Sequence, residues 1–256
     1  MHQLLLPADF PLPLMDRAVA ERDTMYLESD AHYVSVGQSA LRIIEGALDG
    51  REPRSILDLP SGFGRVTRVL RARFPQATIT ASDLDSEGVE FCAAQFGVRA
   101  ALSVRDFNQL HLGECYDLIW VGSLITHLPP RQTREFFAAM ARHMTPLSTL
   151  VVSSHGPSII PRLQAQAYGF PPLTAAELIA EYQQTGYGYR DYGGSEREIR
   201  ASLSNENYGI SLTNEIWLRE TLSGCGLRVE AYHPRLWDDH HDIVVARLPR
   251  TDPLPR

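Results

Sequence analysis

The stretch Ser55 to Arg65, SILDLPSGFGR, sets one carboxylate, Asp58, just ahead of two glycines, Gly62 and Gly64. Ser55, Ile56 and Leu57 read as the end of a buried strand, and the glycines permit a tight turn that brings bare backbone close to a ligand. A helix is expected from Arg65, presenting free N–H groups and a positive dipole end to an anion over the turn. A dinucleotide-binding turn reads GxGxxG and cradles a pyrophosphate, whereas here an acid precedes the glycines and Thr67 holds the third glycine position. A carboxylate repels diphosphate and attracts a cation. The pattern suits adenosine-cofactor chemistry, with a ligand that is a zwitterion at one end and a nucleoside at the other.

Two further acids follow, each one βα unit on. Asp83 closes the run Ile79-Thr80-Ala81-Ser82, Asp106 follows Ser103-Val104-Arg105, and a fourth apolar run, Tyr116 to Val121, leads into Gly122, Ser123, Leu124 and His127. From Arg54 to Leu128 this succession resembles the class I S-adenosylmethionine-dependent methyltransferases. The resemblance implies S-adenosylmethionine as cofactor and places Asp58, Pro60, Ser61, Gly62 and Gly64 in the first motif, with Asp58 acting through backbone or water toward the methionine amino group. It implies that Asp83 binds the ribose hydroxyls, that Leu84 lies against the adenine, and that Asp106 and the Phe107 backbone reach the adenine edge. Gly122 then borders the methyl-transfer site, and Tyr33 completes the cofactor set from the preceding helix.

The elements that must carry these residues follow from periodicity. Residues 34 to 49 place Val34, Val36, Ala40, Leu41, Ile44 and Leu48 on one helical face, ahead of strand one. Helices are expected around Val66 to Phe74, Val89 to Phe96 and Phe136 to Met144, then a turn at Pro146-Leu147-Ser148 and a fifth strand from Leu150 to His155. Thr213 to Ser223 reads as a helix stopped by Gly224 and Gly226, followed by a hairpin of Leu227 to Tyr232 and Ile243 to Leu248. Such alternation implies α/β architecture with right-handed crossovers. The resemblance sharpens this to a Rossmann-like, seven-stranded, mostly parallel sheet with an antiparallel last strand, helices on both faces, and a cap inserted between strands five and six. One domain is expected over residues 1–256: an N-terminal helical segment (1–50), the core sheet (51–155 and 211–248) and the cap (156–210).

In the cap, Thr174 and Glu177 form a capping-box pattern ahead of Leu178, and Gly186 to Gly194 reads as a flexible, aromatic and polar loop. The cap resembles that of methyltransferases associated with bacterial cell-surface glycan biosynthesis, on its glycine–tyrosine pattern, on Asn205-Glu206-Asn207-Tyr208-Gly209 and on Trp237-Asp238-Asp239-His240-His241-Asp242. Tyr189, Asp191, Tyr208, His240 and Asp242 are the candidate acceptor contacts. An antiparallel last strand beside strand five would bring His127, His155, His240, His241 and Asp242 to one sheet edge, where open α/β sheets bind ligands. Histidine titrates near neutrality, so His155 or His241, with His127 nearby, is the candidate base or orienting group for an in-line methyl transfer to an acceptor oxygen. For each histidine alone, a hydrogen-bonded loop role competes. No HxH spacing is present and no metal site is expected.

A net charge of -7 and a pI near 5.7 argue against a nucleic-acid partner and leave a small-molecule or glycan acceptor, with a homodimer open. Three scattered cysteines suit a reducing cytoplasm, and the run Leu4 to Leu6, cut by Pro7 and Asp9, is too short for a signal peptide or a membrane span. Two rival readings stay open: a nicotinamide-dependent oxidoreductase, and a non-catalytic S-adenosylmethionine-binding protein.

Overall fold

Strand and helix signals along the chain resolve into one central sheet in the computed structural model, which describes residues 1–5, 11–12, 14–192 and 208–249. A short antiparallel pair, β1 (His2–Gln3) and β2 (Ala18–Val19), precedes α1 (Asp30–Leu48). The parallel strands are β3 (Ser55–Asp58), β4 (Thr78–Asp83), β5 (Arg99–Leu102), β6 (Tyr116–Val121) and β7 (Met144–His155). They alternate with α2 (Thr67–Arg73), α3 (Ser86–Phe96) and α4 (Pro130–Arg142). After β7 come α5 (Ile160–Gln164), α6 (Pro172–Thr185), β8 (Tyr187–Asp191), β9 (Gly209–Thr213), α7 (Glu215–Gly224) and the hairpin β10 (Arg228–Trp237) and β11 (His241–Arg247).

The seven-stranded sheet has the order β10-β11-β7-β6-β3-β4-β5. Strand β11 is antiparallel to both neighbours, so the expected antiparallel last strand sits between the fifth and sixth. Helices α1, α2 and α3 cover one face through Ile44, Leu70 and Phe96, and α4 and α7 cover the other through Phe136, Phe137 and Leu218. With both faces covered, the central strands read as unbroken apolar runs, and Ile56, Leu57 and Leu150 to Val152 are fully buried. Each such side chain contributes about 1.5–3 kcal/mol of apolar burial. The insertion between β7 and α7 has its own small core of Ile159, Leu163, Phe170, Leu178, Ile210 and Leu212. Among the described residues no helix is long and apolar enough to cross a membrane.

Several local expectations change. Helix α1 begins at Asp30, because the Ser29 side chain caps it by accepting the His32 N–H. Helix α2 begins at Thr67 rather than Arg65, so Arg65 belongs to the turn. Helix α6 starts at Pro172 with no side-chain cap, which puts Thr174 inside the first turn; proline at the first helical position needs no N–H partner. The tyrosine run after Gly186 is no loop. Gly186 ends α6 in the left-handed region, and Tyr187–Asp191 pairs antiparallel with β9, burying Tyr187 against Trp217 at 4.3 Å between ring centroids. Gly193 and Gly194 of that run, with Asn205, Glu206 and Asn207, and with Leu6, Pro7 and Asp9, lie outside the described residues.

The turn expected at Pro146 is part of β7. Its register against β6 shifts between Tyr116 and Leu118, and the Ser148 hydroxyl repairs the ladder by donating to the Tyr116 carbonyl and accepting the Thr145 N–H at 2.6 Å. Replacing Ser148 with Ala strands both backbone groups. We expect a loss of about 1–2 kcal/mol and a fall in Tm of roughly 2–4 °C, read from thermal unfolding.

Candidate active site

The glycine turn is tied to both neighbouring strands. The Leu59 N–H donates to the Trp120 carbonyl on β6 at 3.1 Å, and the Ser61 N–H donates to the Ser82 carbonyl on β4 at 2.9 Å. Gly62 (φ 50°) and Gly64 (φ 79°) both adopt the left-handed region, where side chains are strained. They differ in surroundings. A Cβ on Gly64 would meet the Phe96 ring at 2.4 Å, so this glycine serves helix packing, whereas no atom of the described residues lies within 4 Å of one on Gly62. The open side of the turn is at Gly62.

Asp58 ends β3 fully buried. Its Oδ2 accepts the Thr67 hydroxyl at 2.6 Å, but its Oδ1 has no hydrogen-bond partner among the described residues. Burial, reinforced by the charge of Asp83, raises its pKa to about 7. An unpaired, buried carboxylate oxygen is costly unless a donor arrives, which fits a cationic ligand group. Asp83 accepts the Gly62 N–H at 2.8 Å and the Asp85 N–H at 3.0 Å. Burial still raises its pKa. Each of its oxygens retains a lone pair for a ligand hydroxyl. Leu84, beside it, is 38% exposed.

The other cofactor candidates have different surroundings. Asp106 is exposed and caps the short turn Phe107–Gln109, accepting the Asn108 N–H at 3.0 Å, and this hydrogen bond holds its pKa below the usual range. The Phe107 ring packs in the core against Phe136 at 5.1 Å. Tyr33 donates its hydroxyl to Asp23 at 2.6 Å and accepts from Arg68 at 3.2 Å, so its polar end is committed within the protein. At Gly122 a Cβ would lie 3.0 Å from both Trp120 and Trp237, whose rings meet edge-on at 5.1 Å.

The histidines do converge. Register pairs His155 on β7 with His241 on β11, and their rings stack at 4.9 Å and 14°. His240 lies 4.0 Å from His241, and His127 6.4 Å from His155. His241 meets the Ser123 hydroxyl through Nε2 at 3.0 Å. The Nδ1 atoms of both His155 and His241 are buried without a hydrogen-bond partner among the described residues. Burial, and then the neighbouring histidines, hold both well below the usual histidine pKa, so both are neutral at pH 7. His127 is oriented by Nδ1 against the Gly209 carbonyl at 2.8 Å and stacks on Tyr208 at 4.7 Å.

Asp242 does not join them. Successive residues on a strand face opposite sides, and its carboxylate accepts the Tyr232 hydroxyl and, at 2.8 Å, the Arg235 N–H. It holds the irregular end of the β10–β11 hairpin that carries His240 and His241. Tyr189 lies in β8 opposite Ser211, and Asp191 is exposed at the end of that strand. Sequence reasoning missed Ser123 as a partner of His241, and Tyr168, which lies 6.0 Å from His155. Ser123 stood in the segment after the fourth run, whereas nothing local marks Tyr168.

Each of His155, His240 and His241 offers a ligating atom within 4.8 Å of the others, a grouping that HxH spacing along the chain cannot reveal. Tetrahedral zinc sets ligating nitrogens about 3.3 Å apart, at Zn–N bonds of about 2.0–2.1 Å. The rings of His155 and His241 are nearly parallel, and the Asp242 carboxylate is engaged by Tyr232. The three rings form an imidazole cluster.

Residues 56–147 match the family profile of a methyltransferase domain. No curated protein sequence matches the chain significantly. Among solved structures, the chain is similar to an S-adenosylmethionine-dependent methyltransferase from Clostridium acetobutylicum ATCC 824, at a TM-score of 0.58 and 15% identity over 88% of this chain and 97% of that one. It is also similar to magnesium protoporphyrin IX methyltransferase from Synechocystis PCC 6803 with bound S-adenosylhomocysteine, at 0.56 and 14% over 91% and 90%. A third is 1,6-didemethyltoxoflavin-N1-methyltransferase from Burkholderia thailandensis, at 0.55 and 16% over 85% and 80%. At these identities the likeness is one of fold.

Proposed function

We propose that this chain, an S-adenosylmethionine-dependent methyltransferase by its matched domain and its fold, O-methylates a hydroxylated small molecule, with a sugar or glycan unit as the acceptor class. The observation that supports this is the placement of the Asp58–Gly62–Asp83 turn, after β3 and β4, and of the imidazole pair His155–His241, at the end of β7 and the start of β11, on the same carboxyl edge of the sheet.

When bound, S-adenosylmethionine supplies a methyl group already activated for transfer, so the protein's work is alignment, exclusion of water and proton management. Asp58 Oδ1 takes the tail ammonium, Asp83 takes the ribose hydroxyls, and Leu84 covers one face of the adenine. Asp106 borders the adenine edge. His155, as the neutral tautomer with its Nδ1 lone pair free and its ring stacked on His241, accepts the acceptor hydroxyl's proton at that nitrogen; Ser123 fixes the His241 ring. Tyr168 and Tyr208 supply ring faces on which a sugar stacks. A diphosphate on the same turn would meet the buried Asp58, which disfavours the nicotinamide reading. Free cysteines support a reducing, cytoplasmic setting.

Replacing Asp83 with Ala is expected to weaken S-adenosylhomocysteine binding at least about tenfold in calorimetry, since charge-assisted hydrogen bonds are worth about 1.5–3 kcal/mol each. Unchanged affinity would remove Asp83 from the site. The acceptor class is tested by following S-adenosylhomocysteine release over a panel of free sugars, nucleotide sugars, phenols and amines. Turnover confined to amines would overturn O-methylation.

A further inference from the structure

Arg65 is the side chain at this turn whose role the packing leaves unexplained. It follows Gly64 directly and is partly buried, with its guanidinium carbon 6.0 Å from the Tyr33 ring centre and 5.9 Å from that of Trp237. Arg68, in the next turn of the chain, is committed: it donates to the carbonyls of Gly64, Ala18, Asp16 and Phe63 and to the Tyr33 hydroxyl. Arg65 makes no such bond and no ion pair among the described residues. Burial lowers its pKa, yet arginine stays charged at any physiological pH. Of the acids whose charge reaches it, Asp238 has its Oδ1 4.0 Å from His32 Nε2. Asp23 accepts the Tyr33 hydroxyl at 2.6 Å and the Met25 N–H at 2.9 Å, and Asp58 spends Oδ2 on Thr67.

A half-desolvated guanidinium resting on two ring faces is stabilised by cation–π attraction, but its donor fork remains for a planar anion. One residue stretch away, a buried carboxylate oxygen lacks a donor. An unpaired cation and an unpaired anion on one short turn are the complement of an amino-acid zwitterion.

We infer that Arg65 binds the carboxylate of the cofactor's amino-acid tail, with Asp58 taking the ammonium, so that the turn selects a zwitterionic tail rather than a bare nucleoside. This rests on the methyltransferase reading and names the residue that closes its cofactor seat. It also gives the β10–β11 hairpin a part in cofactor binding, because Trp237 supports the guanidinium from that side while its indole N–H is anchored on the Val36 carbonyl at 3.1 Å.

The test compares S-adenosylmethionine with decarboxylated S-adenosylmethionine, which keeps the amine and loses only the carboxylate, by calorimetry on the full chain. The wild type should bind the decarboxylated ligand at least about tenfold more weakly. Arg65→Ala should weaken S-adenosylmethionine binding by a similar factor and leave the decarboxylated ligand unaffected, with Arg65→Lys recovering part of the loss. Thermal unfolding of each variant reports on folding. Equal weakening of both ligands would make Arg65 a turn-shaping residue and overturn the inference, as would no weakening of either. Failure of the wild type to bind either ligand would instead bring down the methyltransferase reading, and this inference with it.

Discussion

Replacing His155 with Gln should lower methyl-transfer turnover by about 10²- to 10⁴-fold at saturating cofactor, while S-adenosylhomocysteine affinity stays unchanged. Gln keeps a polar side chain in the same buried place but cannot take up a proton. The split between turnover and affinity matters, because a merely structural role would erode both. The pH profile adds a second signature. Burial and the neighbouring imidazoles depress the folded pKa of His155, so the ring stays neutral as pH falls past the ordinary histidine value of about 6.5. The acidic limb of turnover should therefore lie below pH ~6.5 in the wild type. A limb at the ordinary histidine position, or full activity in the Gln variant, would exclude His155 as the proton acceptor. The same depression bears on stability: the neutral ring's contribution is intact above the unfolded pKa and lost as pH falls through the folded one.

Replacing Asp58 with Asn should separate stability from binding. Its carboxyl has a folded pKa of about 7, above the unfolded value of about 3.9. The sign follows directly: the stabilisation is complete below the unfolded pKa and lost as pH rises through 7, because the charged form is then buried with Oδ1 unpaired. The Asn variant lacks that loss and should melt higher than the wild type at pH 8. It should also bind the cofactor far more weakly, since removing one member of a buried charged pair costs about 2–5 kcal/mol, or roughly 30- to 4,000-fold. Wild-type affinity should fall as pH drops below 7, where the carboxyl must first release its proton, and the Asn variant should lose that dependence. Calorimetry between pH 5.5 and 7.5, set beside melting curves, checks both; a pH-independent wild-type affinity would deny Asp58 direct contact with the ammonium.

The most legible features of the chain are those set within a few residues. The Asp58-to-Gly64 turn, the acid closing β4, and the helix stop at Gly224 depend on local backbone geometry and on which residue types tolerate it. Apolar runs mark β3, β4, β6 and β7, because a strand buried on both faces leaves a continuous apolar run, whereas the edge strand β5 is mostly exposed and the place of the final hairpin in the sheet followed from the family resemblance. Boundaries were weaker where a side chain replaced a backbone partner. Ser148 carries β7 through Pro146, and the Tyr187 ring turns a glycine- and tyrosine-rich stretch into a strand by packing on Trp217.

The candidate site divides along the same line. One turn and two adjacent strand ends bring Asp58, Gly62 and Asp83 together, which is why local pattern suffices to group them, whereas Asp106 is exposed and the Phe107 ring packs in the core. The stack of His155 on His241, the turning away of Asp242, and the seating of Arg65 between Tyr33 and Trp237 were decided only by tertiary structure. Periodicity states which face of a strand a residue occupies, but a one-residue slip between β7 and β11 would exchange His241 for Asp242 opposite His155. That register is chosen by the packing of the whole sheet and by the irregular end of β10, where the Asp242 carboxylate holds Tyr232 and Arg235.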